Sequence, residues 1–387
     1  MVSEKDPRRI TALLAVLVAT AALALGLAAC GGGSDGGGFN GGDTESEEVK
    51  LEKKASGEVT ISNWPLYIDK QTVPDFEKET GVKVKYIEDV NSNEEFFAKM
   101  QPLLKQGESG GRSLMVVTDW MAAKMNELGY LQKFDKSALP NFEKNLVSNL
   151  QEPSYDPTRE FSAPWQSGMT GIIVRKDLAP EVKSVCDLFD PKYKGKVEML
   201  NELRDTVPLV MKCLGIDPEE ASEDDWMKAI DKIKSATDSG QIRRFTGNDY
   251  AADLTSGNAV AVIGWSGDAV QLQADNPDIE WRMPTEGCIL WSDNMVIPVG
   301  APNPTAAEEF INYVYDPENQ AQIEAYVNYV SPVENVKEVL LEEEPEIAKN
   351  QLIFPSSSFT KNCSIQPSPS AEEEQNLNRA FNAVLNG

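Results

Sequence analysis

Hydrophobic and polar residues follow two different periods after residue 57, and these periods indicate strands and helices in turn. The predicted strands show either strict alternation or a short apolar run, and they cover residues 58–62, 82–87, 114–117, 171–174, 196–200 and 259–264. The predicted helices have apolar residues at a 3.6-residue spacing, and they cover residues 69–80, 93–105, 120–127, 207–214 and 223–236. Strands that alternate with helices predict an α/β fold with a mostly parallel sheet, here arranged as two α/β lobes.

The amino-terminal segment has the pattern of an export signal. Lys5, Arg8 and Arg9 precede an apolar run over residues 10–27, which ends in small residues before Cys30. This order of basic, apolar and small residues is typical of a secretory signal peptide. The junction at Cys30 is followed by glycines and resembles a bacterial lipobox, in which the cysteine is lipidated.

Three expectations follow for this part of the chain. Residues 1–29 form a lipoprotein signal peptide, Cys30 carries the lipid, and residues 30–56 form a flexible tether rich in glycine and acidic residues. The protein is then exported to the periplasm or the outer face of the cytoplasmic membrane, and it is held there only through its lipid. The alternative is a transmembrane helix, because the apolar run over 10–27 reaches the minimum spanning length.

The composition narrows the classes of ligand and of chemistry. The 387 residues carry a formal net charge of −26 and include no histidine. An acidic surface repels phosphate groups, which disfavours nucleic acid and anionic lipid as partners and suits a cationic ligand. The absence of histidine removes Ser-His and Cys-His catalytic pairs and histidine-ligated metal sites. We therefore expect a binding protein that has no cofactor and no bound metal and is not an enzyme.

Tryptophans and acids cluster where predicted strands end. Four of the seven tryptophans lie at such ends, namely Trp64, Trp120, Trp265 and Trp291. The acids near them are Asp119, Glu202, Asp205, Asp268 and Asp293. Ligands of open α/β sheets bind beyond the carboxyl ends of the strands. Aromatic rings cover methylene groups and attract ammonium groups, while carboxylates accept charge-assisted hydrogen bonds, so this set suits a flexible polyamine.

Trp291 and Asp293 form the most informative pair in this pattern. They precede Val296-Ile297-Pro298, which is typical of the edge of a buried strand. Residues two apart on an extended chain point to the same side, so this tryptophan and this carboxylate share one face. The alternative for the pair is a core tryptophan beside a solvated aspartate.

Besides Cys30, the chain has four cysteines, at Cys186, Cys213, Cys288 and Cys363. An even number of cysteines in an exported protein permits two disulfides, and four cysteines allow three pairings. We favour Cys186 with Cys213 and Cys288 with Cys363, because the first two flank one strand-helix unit. The sequence leaves the other two pairings open.

Short motifs are spread over about residues 57–385. They are Asn63-Trp64-x-x-Tyr67, Phe76-Glu77-Lys78-Glu79-Thr80-Gly81-Val82-Lys83-Val84, Lys133-Phe134-Asp135, Pro191-Lys192-Tyr193-Lys194-Gly195 and Ile289-Leu290-Trp291-Ser292-Asp293. With these motifs the chain resembles the spermidine/putrescine-binding proteins of bacterial ABC importers. The Trp-x-Asp strand is the most specific of the motifs.

The resemblance implies a periplasmic-binding-protein-like fold of type II, in which two α/β lobes are joined by a hinge with crossing segments. Lobe 1 is expected over residues 57–163 and about 294–340, and lobe 2 over residues 164–293. A C-terminal helical segment over residues 341–387 is not assigned to either lobe. The implied partners are a small cationic ligand, a polyamine, and the membrane permease of an ABC importer, and the protein is expected to be a monomer.

The resemblance also implies a set of ligand-contacting residues. At matching positions these are Trp64, Tyr67, Thr118, Trp120, Glu202, Asp205, Trp265, Trp291, Asp293, Tyr329 and Gln366. Members of the family usually have polar, often acidic residues between the first Trp and Tyr, where this chain has Pro65-Leu66. One end of the pocket thus lacks a carboxylate. Either Asp119 replaces it, or the ligand carries less charge at that end.

Other interpretations stay open. Gly264-Trp265-Ser266-Gly267-Asp268 is close to the G-x-S-x-G motif of hydrolases, but the last glycine is absent and no histidine activates Ser266. A purely structural surface protein would not need tryptophans at the strand ends. A binding protein of the same fold for an amino acid, another amine, a sugar or a metal complex is a further alternative. An amino acid would require an arginine on its carboxylate, for which Arg204 is the candidate.

Overall fold

The structure is a computed structural model that describes residues 55–367 and 369–386. The predicted signal peptide, Cys30 and nearly all of the tether over 30–56 lie outside these residues. Within the described part of the chain, no helix is both long enough and apolar enough to cross a membrane.

The described residues form one mixed sheet of ten strands with helices packed against it. The strands are β1 (Glu58–Asn63), β2 (Lys83–Glu88), β3 (Leu114–Thr118), β4 (Ala163–Arg175), β5 (Val197–Leu200), β6 (Ile242–Thr246), β7 (Ala261–Trp265), β8 (Ile279–Arg282), β9 (Ile289–Val296) and β10 (Ser364–Ile365). The helices are α1 (Thr72–Thr80), α2 (Asn93–Leu104), α3 (Asp119–Glu127), α4 (Pro140–Asn145), α5 (Leu203–Cys213), α6 (Glu223–Asp238), α7 (Tyr250–Ser256), α8 (Ser266–Asp275), α9 (Pro304–Val314), α10 (Pro317–Val327), α11 (Val336–Glu343), α12 (Pro345–Ala348) and α13 (Ala371–Leu385).

Local sequence explains where several helices begin and end. The side chain of Ser92 caps α2 by accepting a hydrogen bond from the backbone N–H of Glu95, at 3.1 Å. Ser370 and Glu373 form a capping box at the start of α13. α1 ends at Gly81, whose φ of 78° lies in the left-handed region that glycine adopts most easily.

The order of the strands is β2-β1-β3-β9-β4-β7-β5-β6, with β10 paired to β9 and β8 paired to β4. The predicted parallel pairing holds for β1 with β2 and β3, and for β5 with β6 and β7. It is wrong for the centre of the sheet, where β4 and β9 are antiparallel to each other and to β3 and β7. Hydrophobic periodicity reveals a strand but not its direction, so the sequence pattern could not detect this reversal.

β4 and β9 join the two parallel groups of strands and are the crossing segments that the resemblance implies. The sequence pattern placed only 171–174 in β4, whereas the strand is 13 residues long. Its first half is buried yet contains Gln166, Ser167 and Gly168, which interrupt the apolar run that marks a buried strand.

α5 begins four residues before the predicted start at 207. Glu202 is its N-cap residue, and Arg204 and Asp205 lie in its first turn. All three are buried. The charged residues of this first turn interrupt the apolar spacing, so that spacing alone placed the start of the helix too late. The C-terminal segment 341–387 also contains the short strand β10 in addition to helices.

Candidate functional site

A pocket that is partly open to solvent lies where β1, β3, β5 and β7 end at their carboxyl sides. It brings together ten of the predicted site residues, namely Trp64, Tyr67, Thr118, Glu202, Asp205, Trp265, Trp291, Asp293, Tyr329 and Gln366. Four further residues line it, namely Pro65, Asn93, Asn248 and Asp268. The position of the pocket agrees with the rule that ligands of α/β sheets bind beyond the carboxyl ends of the strands.

Aromatic side chains form a continuous wall of the pocket. The ring centroids of Trp64 and Trp265 are 6.0 Å apart, and those of Trp265 and Trp291 are 6.4 Å apart. Trp291 lies 5.7 Å from Tyr329, which in turn lies 5.1 Å from Tyr67. These rings meet at steep angles, as aromatic pairs prefer. Such a wall can cover an alkyl chain and attract a positive charge.

Two glycines make room for the rings of this wall, because they have no side chain. The register of β4 and β9 places Gly168 opposite Trp291, and a Cβ atom at Gly168 would collide with the indole ring. Gly267 is likewise covered by the ring of Tyr329. The indole N–H of Trp291 donates a 3.0 Å hydrogen bond to Thr170 Oγ1, which fixes the orientation of the ring.

Asp293 is a buried carboxylate held by two hydroxyl groups. Its Oδ2 accepts a 2.9 Å hydrogen bond from the Tyr67 hydroxyl, and its Oδ1 accepts a 2.7 Å bond from Thr118. Burial raises the pKa of Asp293 to about 7, although both hydrogen bonds act in the opposite direction. Asp293 and Trp291 both line the pocket, as their spacing on an extended strand predicts.

Asp205 is a second buried carboxylate of the pocket. It accepts hydrogen bonds from the Thr170 hydroxyl and, at 3.4 Å, from the side-chain amide of Gln366. Burial raises the pKa of Asp205 to about 7. Thr170 therefore connects this acid with the indole of Trp291.

Asp268 is a third such carboxylate. Its Oδ2 accepts hydrogen bonds of 2.6 Å from the Tyr250 hydroxyl and 2.9 Å from the Asn248 amide, and its Oδ1 accepts a 2.6 Å bond from Tyr329. Burial raises the pKa of Asp268 above its usual value.

These three aspartates lack cationic partners. Among the described residues, no lysine or arginine forms an ion pair with Asp205, Asp268 or Asp293, and none lines the pocket. Removing a carboxylate from water without a compensating charge is unfavourable. A cation that entered this pocket would therefore meet several acceptors and no competing positive group.

Glu202 lies at the amino end of helix α2. Its Oε1 accepts a 2.8 Å hydrogen bond from the backbone N–H of Asn93, while the Asn93 side chain donates to Thr118 Oγ1 at 2.8 Å. The partial positive charge of a helix amino terminus favours a carboxylate there. Burial and the neighbouring acid Glu94 nevertheless raise the pKa of Glu202 well above its usual value.

The structure separates Asp119 and Trp120 from the other predicted ligand contacts. Asp119 accepts hydrogen bonds from the Tyr155 hydroxyl at 2.7 Å and from Asn294 at 2.6 Å, so its carboxylate belongs to a network beside β9. The guanidinium of Arg204 lies 4.2 Å from the ring centroid of Trp120. Trp120 and Arg204 both line a different groove, next to α13. The cation on Trp120 is thus supplied by the protein itself.

The sequence profile of the bacterial extracellular solute-binding proteins matches residues 71–355. The chain belongs to this family. It is 31% identical over 305 residues to the spermidine/putrescine-binding periplasmic protein of Escherichia coli K12, covering 78% of this chain and 84% of that protein. It is also 29% identical over 298 residues to the putrescine/agmatine-binding protein of Pseudomonas aeruginosa, covering 71% and 78%.

Solved structures confirm the fold expected for this solute-binding protein. The spermidine/putrescine ABC transporter substrate-binding protein of Streptococcus pneumoniae is 26% identical, with a TM-score of 0.69 and coverage of 85% of this chain and 98% of that one. A Listeria monocytogenes protein assigned to spermidine/putrescine ABC transport is 30% identical, with a TM-score of 0.76 and coverage of 84% and 98%. The two-lobed, periplasmic-binding-protein-like fold is therefore established.

Asn93 and Asn248 line the pocket but were not predicted from the sequence, whereas Pro65 was expected at one end of the pocket without being selected as a ligand contact. Asn248 follows β6, a strand that the apolar pattern missed because Arg243 and Arg244 interrupt it. Asn93 lies at the start of a correctly predicted helix. Asparagine is common at helix starts, so its position there did not indicate a ligand contact. Asp268 was recognised as one of the acids near a strand end but not selected as a ligand contact.

The solute-binding protein contains both disulfides of the favoured pairing. Cys186 is bonded to Cys213, and Cys288 to Cys363. Cys288 directly precedes β9, and Cys363 directly precedes β10, which pairs with β9. The second disulfide therefore holds the segment that carries Gln366 against the strand that carries Trp291.

Proposed function

We propose that this solute-binding protein captures a linear polyamine in the pocket and delivers it to the membrane permease of an ABC importer. The observation that carries the proposal is the set of buried carboxylates held only by neutral donors, namely Asp205, Asp268 and Asp293. Ammonium groups would supply the missing positive charge, and the methylene groups between them would pack on the aromatic wall. The relatives named for spermidine, putrescine or agmatine support the same class of ligand.

The pocket offers enough contacts to bind a polyamine with micromolar affinity. A cation–π contact contributes about 0.5–2 kcal/mol, and a hydrogen bond to a charged group contributes about 1.5–3 kcal/mol. A micromolar dissociation constant corresponds to roughly 8 kcal/mol. Four or five such contacts reach that value after the loss of ligand freedom is subtracted.

We assign to Asp268, rather than to Asp119, the replacement of the carboxylate that this end of the pocket lacks. Pro65 lines the pocket, whereas the side chain of Leu66 is 57% exposed, so neither residue supplies a polar group at that end. Asp268 lines the same pocket and accepts a hydrogen bond from Tyr329. The ligand then keeps a carboxylate partner despite the Pro65-Leu66 replacement.

An amino acid as ligand is disfavoured by the position of Arg204. This arginine stacks on Trp120 and does not line the pocket, so a ligand carboxylate would face the acidic groups without a cation. Catalysis is disfavoured as well. Ser266 is fully buried, and its hydroxyl accepts a 3.3 Å hydrogen bond from the backbone N–H of Met169. We infer that the protein binds its ligand without transforming it.

We further propose that the protein is an exported, monomeric lipoprotein held to the membrane through Cys30. The signal-like segment over 1–29 and the periplasmic relatives support export. Replacing Cys30 with alanine should release the protein into the medium and leave its ligand affinity unchanged. Retention of this variant in the membrane would show that the apolar run over 10–27 is itself the anchor.

The ligand class is tested by thermal unfolding against a panel of solutes. Putrescine, spermidine, spermine and agmatine are compared with arginine, glutamate and glucose at equal ionic strength. A ligand at a hundredfold excess over its dissociation constant stabilises the native state by about 2.7 kcal/mol, which is readily measured. We expect stabilisation by at least one polyamine and none by glutamate or glucose. Stabilisation by the amino acids or the sugar alone would contradict the proposal.

A further inference from the structure

Two glutamates from different helices lie side by side at one end of the pocket. Glu94 is in the first turn of α2, and Glu202 is the N-cap residue of α5. One oxygen of Glu202 accepts a hydrogen bond from the backbone N–H of Asn93, the residue directly before Glu94. The other oxygen of Glu202 and one oxygen of Glu94 are both buried and have no hydrogen-bond partner among the described residues.

The charged groups around this pair leave its negative charge incompletely compensated. They are Arg204 and Asp205 on α5, Lys124 on α3 and Glu374 on α13. Arg204 is 3% exposed, its Nε and Nη1 atoms make no hydrogen bond within the described chain, and its guanidinium carbon lies over the Trp120 ring. Its Nη2 atom forms a 3.7 Å ion pair with Glu374. Lys124 forms its 2.9 Å ion pair with Glu374.

Among the described residues, neither glutamate forms an ion pair with a lysine or arginine, since Lys124 and Arg204 both pair with Glu374. Two adjacent carboxyl groups with buried oxygens repel each other strongly when both are ionised, because water is excluded between them. A single proton between the two unpartnered oxygens removes the repulsion and gives both atoms a hydrogen bond. Burial raises the pKa of Glu94, and burial together with Glu94 raises the pKa of Glu202. These directions agree with a pair that holds one proton.

We propose that Glu94 and Glu202 share one proton in the empty pocket and release it to solvent when an ammonium group of the ligand binds beside Glu202. The inference rests on the proposed function, since it requires a cationic ligand. The ammonium group enters with all its protons and supplies the positive charge that the shared proton supplied before. No covalent bond of the ligand forms or breaks. Glu202 lines the pocket and Glu94 does not, so Glu94 acts as a positioning residue through Glu202.

The proton from this pair adds to those released elsewhere in the pocket. Asp205 and Asp293 have pKa values of about 7 and also become ionised when a cation binds. A total proton count on the wild-type protein therefore does not isolate the pair. The contribution of the pair is instead the difference in the number of released protons between the wild type and a variant that lacks the Glu94 carboxyl group.

The experiment is calorimetric titration with spermidine at pH 7, repeated in buffers of different ionisation enthalpy, which yields the number of protons released. Glu94→Gln is compared with the wild type and with Glu95→Gln, a matched control in which the neighbouring exposed acid is neutralised. Glu202→Gln removes the other member of the pair and serves as a second variant.

We expect Glu94→Gln and Glu202→Gln each to release about one proton fewer than the wild type, and Glu95→Gln to release the same number. The affinity of Glu94→Gln should also change less steeply with pH. Spermidine binding with an unchanged proton count in both variants would overturn this inference and leave the proposed function intact. Absence of binding by every polyamine to the wild type would overturn the proposed function and this inference with it.

Discussion

At the scale of single residues, ligand binding depends on Asp293, which joins the aromatic wall to the hydroxyl groups of Tyr67 and Thr118. Replacing Asp293 with asparagine keeps the shape but leaves an enclosed ammonium group without its charge partner. We expect this variant to lose about 2–5 kcal/mol of binding free energy. Trp291→Leu removes ring area and cation–π attraction and should lose less, about 1–3 kcal/mol. Both are measured by calorimetry with one polyamine.

The matched control for this pair of variants is Asp275→Asn, which neutralises an exposed acid at the end of α8 and should bind like the wild type. Because Asp293 and Trp291 contact the same ligand, their double variant should be non-additive. Wild-type affinity in Asp293→Asn would mean that this face of β9 is not the binding surface and that Trp291 serves only the core.

The same buried acids predict a pH dependence. Folding raises the pKa of Asp205 and of Asp293 from the usual 3.8 to about 7, whereas ligand ammonium groups remain charged throughout this range. Affinity should therefore fall as the pH decreases through about 7, because the carboxylates become neutral. The empty protein should show the opposite trend, since a raised pKa in the folded state contributes stability below about pH 4 that is lost as the pH rises toward 7.

Titrations at pH 5.5, 7 and 8.5, together with unfolding of the empty protein at the same pH values, measure both trends. Acids elsewhere in the chain also influence unfolding, so the double variant Asp205→Asn/Asp293→Asn is the reference. Subtracting the pH dependence of this variant from that of the wild type isolates the contribution of Asp205 and Asp293. Affinity that is independent of pH over this range would show that these carboxylates are already ionised in the empty pocket.

At the scale of secondary-structure elements, the two disulfides have different relations to the site. Cys288–Cys363 holds the segment of β10 and Gln366 against β9, whereas Cys213 of the other pair ends α5, at the opposite end of that helix from the pocket residues Glu202 and Asp205. Replacing either pair with serines should lower the free energy of unfolding by about 2–5 kcal/mol. Only loss of Cys288–Cys363 should also weaken ligand binding, because Gln366 then loses its fixed position.

Denaturant unfolding and calorimetry on the two double-serine variants provide the comparison, and each variant serves as the control for the other. Equal losses of affinity would indicate that binding responds to global stability. Unchanged affinity in the Cys288→Ser/Cys363→Ser variant would show that Gln366 contributes nothing to the site.

The elements also show what the sequence alone could and could not reveal. Tryptophans at strand ends and the Trp291-x-Asp293 spacing predicted most of the pocket, because residue spacing on a strand determines which side chains share a face. Contacts between residues that are far apart in the sequence produce no comparable spacing pattern. The contact of the Arg204 guanidinium with the Trp120 ring and the hydrogen bond from Asn294 to Asp119 depend on how α5, α3 and β9 meet in space, which periodicity does not encode.

At the scale of the whole molecule, the two predicted lobes are in contact across the pocket. Glu202 of predicted lobe 2 accepts a hydrogen bond from Asn93 of predicted lobe 1, and Asp268 accepts one from Tyr329. Such contacts are those of a closed arrangement, in which groups from both lobes would surround a ligand. The lobe boundaries themselves remain predictions.

If the lobes separate in the empty protein, saturating polyamine should reduce the radius of gyration in solution scattering. The Asp293→Asn variant, measured at the same polyamine concentration, controls for nonspecific effects of the cation on a chain of net charge −26. Tight binding to the wild type with an unchanged scattering profile would argue against a hinged closure and for a preformed pocket.

The central claim is that the pocket recognises positive charge at the ends of an alkyl chain, and calorimetry with putrescine or spermidine beside 1,4-butanediol tests it most directly. The diol matches putrescine in length and hydrogen-bonding ends but carries no charge. Because the buried carboxylates lack cationic partners, we predict micromolar or tighter binding of at least one of the amines and no measurable binding of the diol. Binding of the diol as tightly as the amines, or no binding of either amine, would contradict the account.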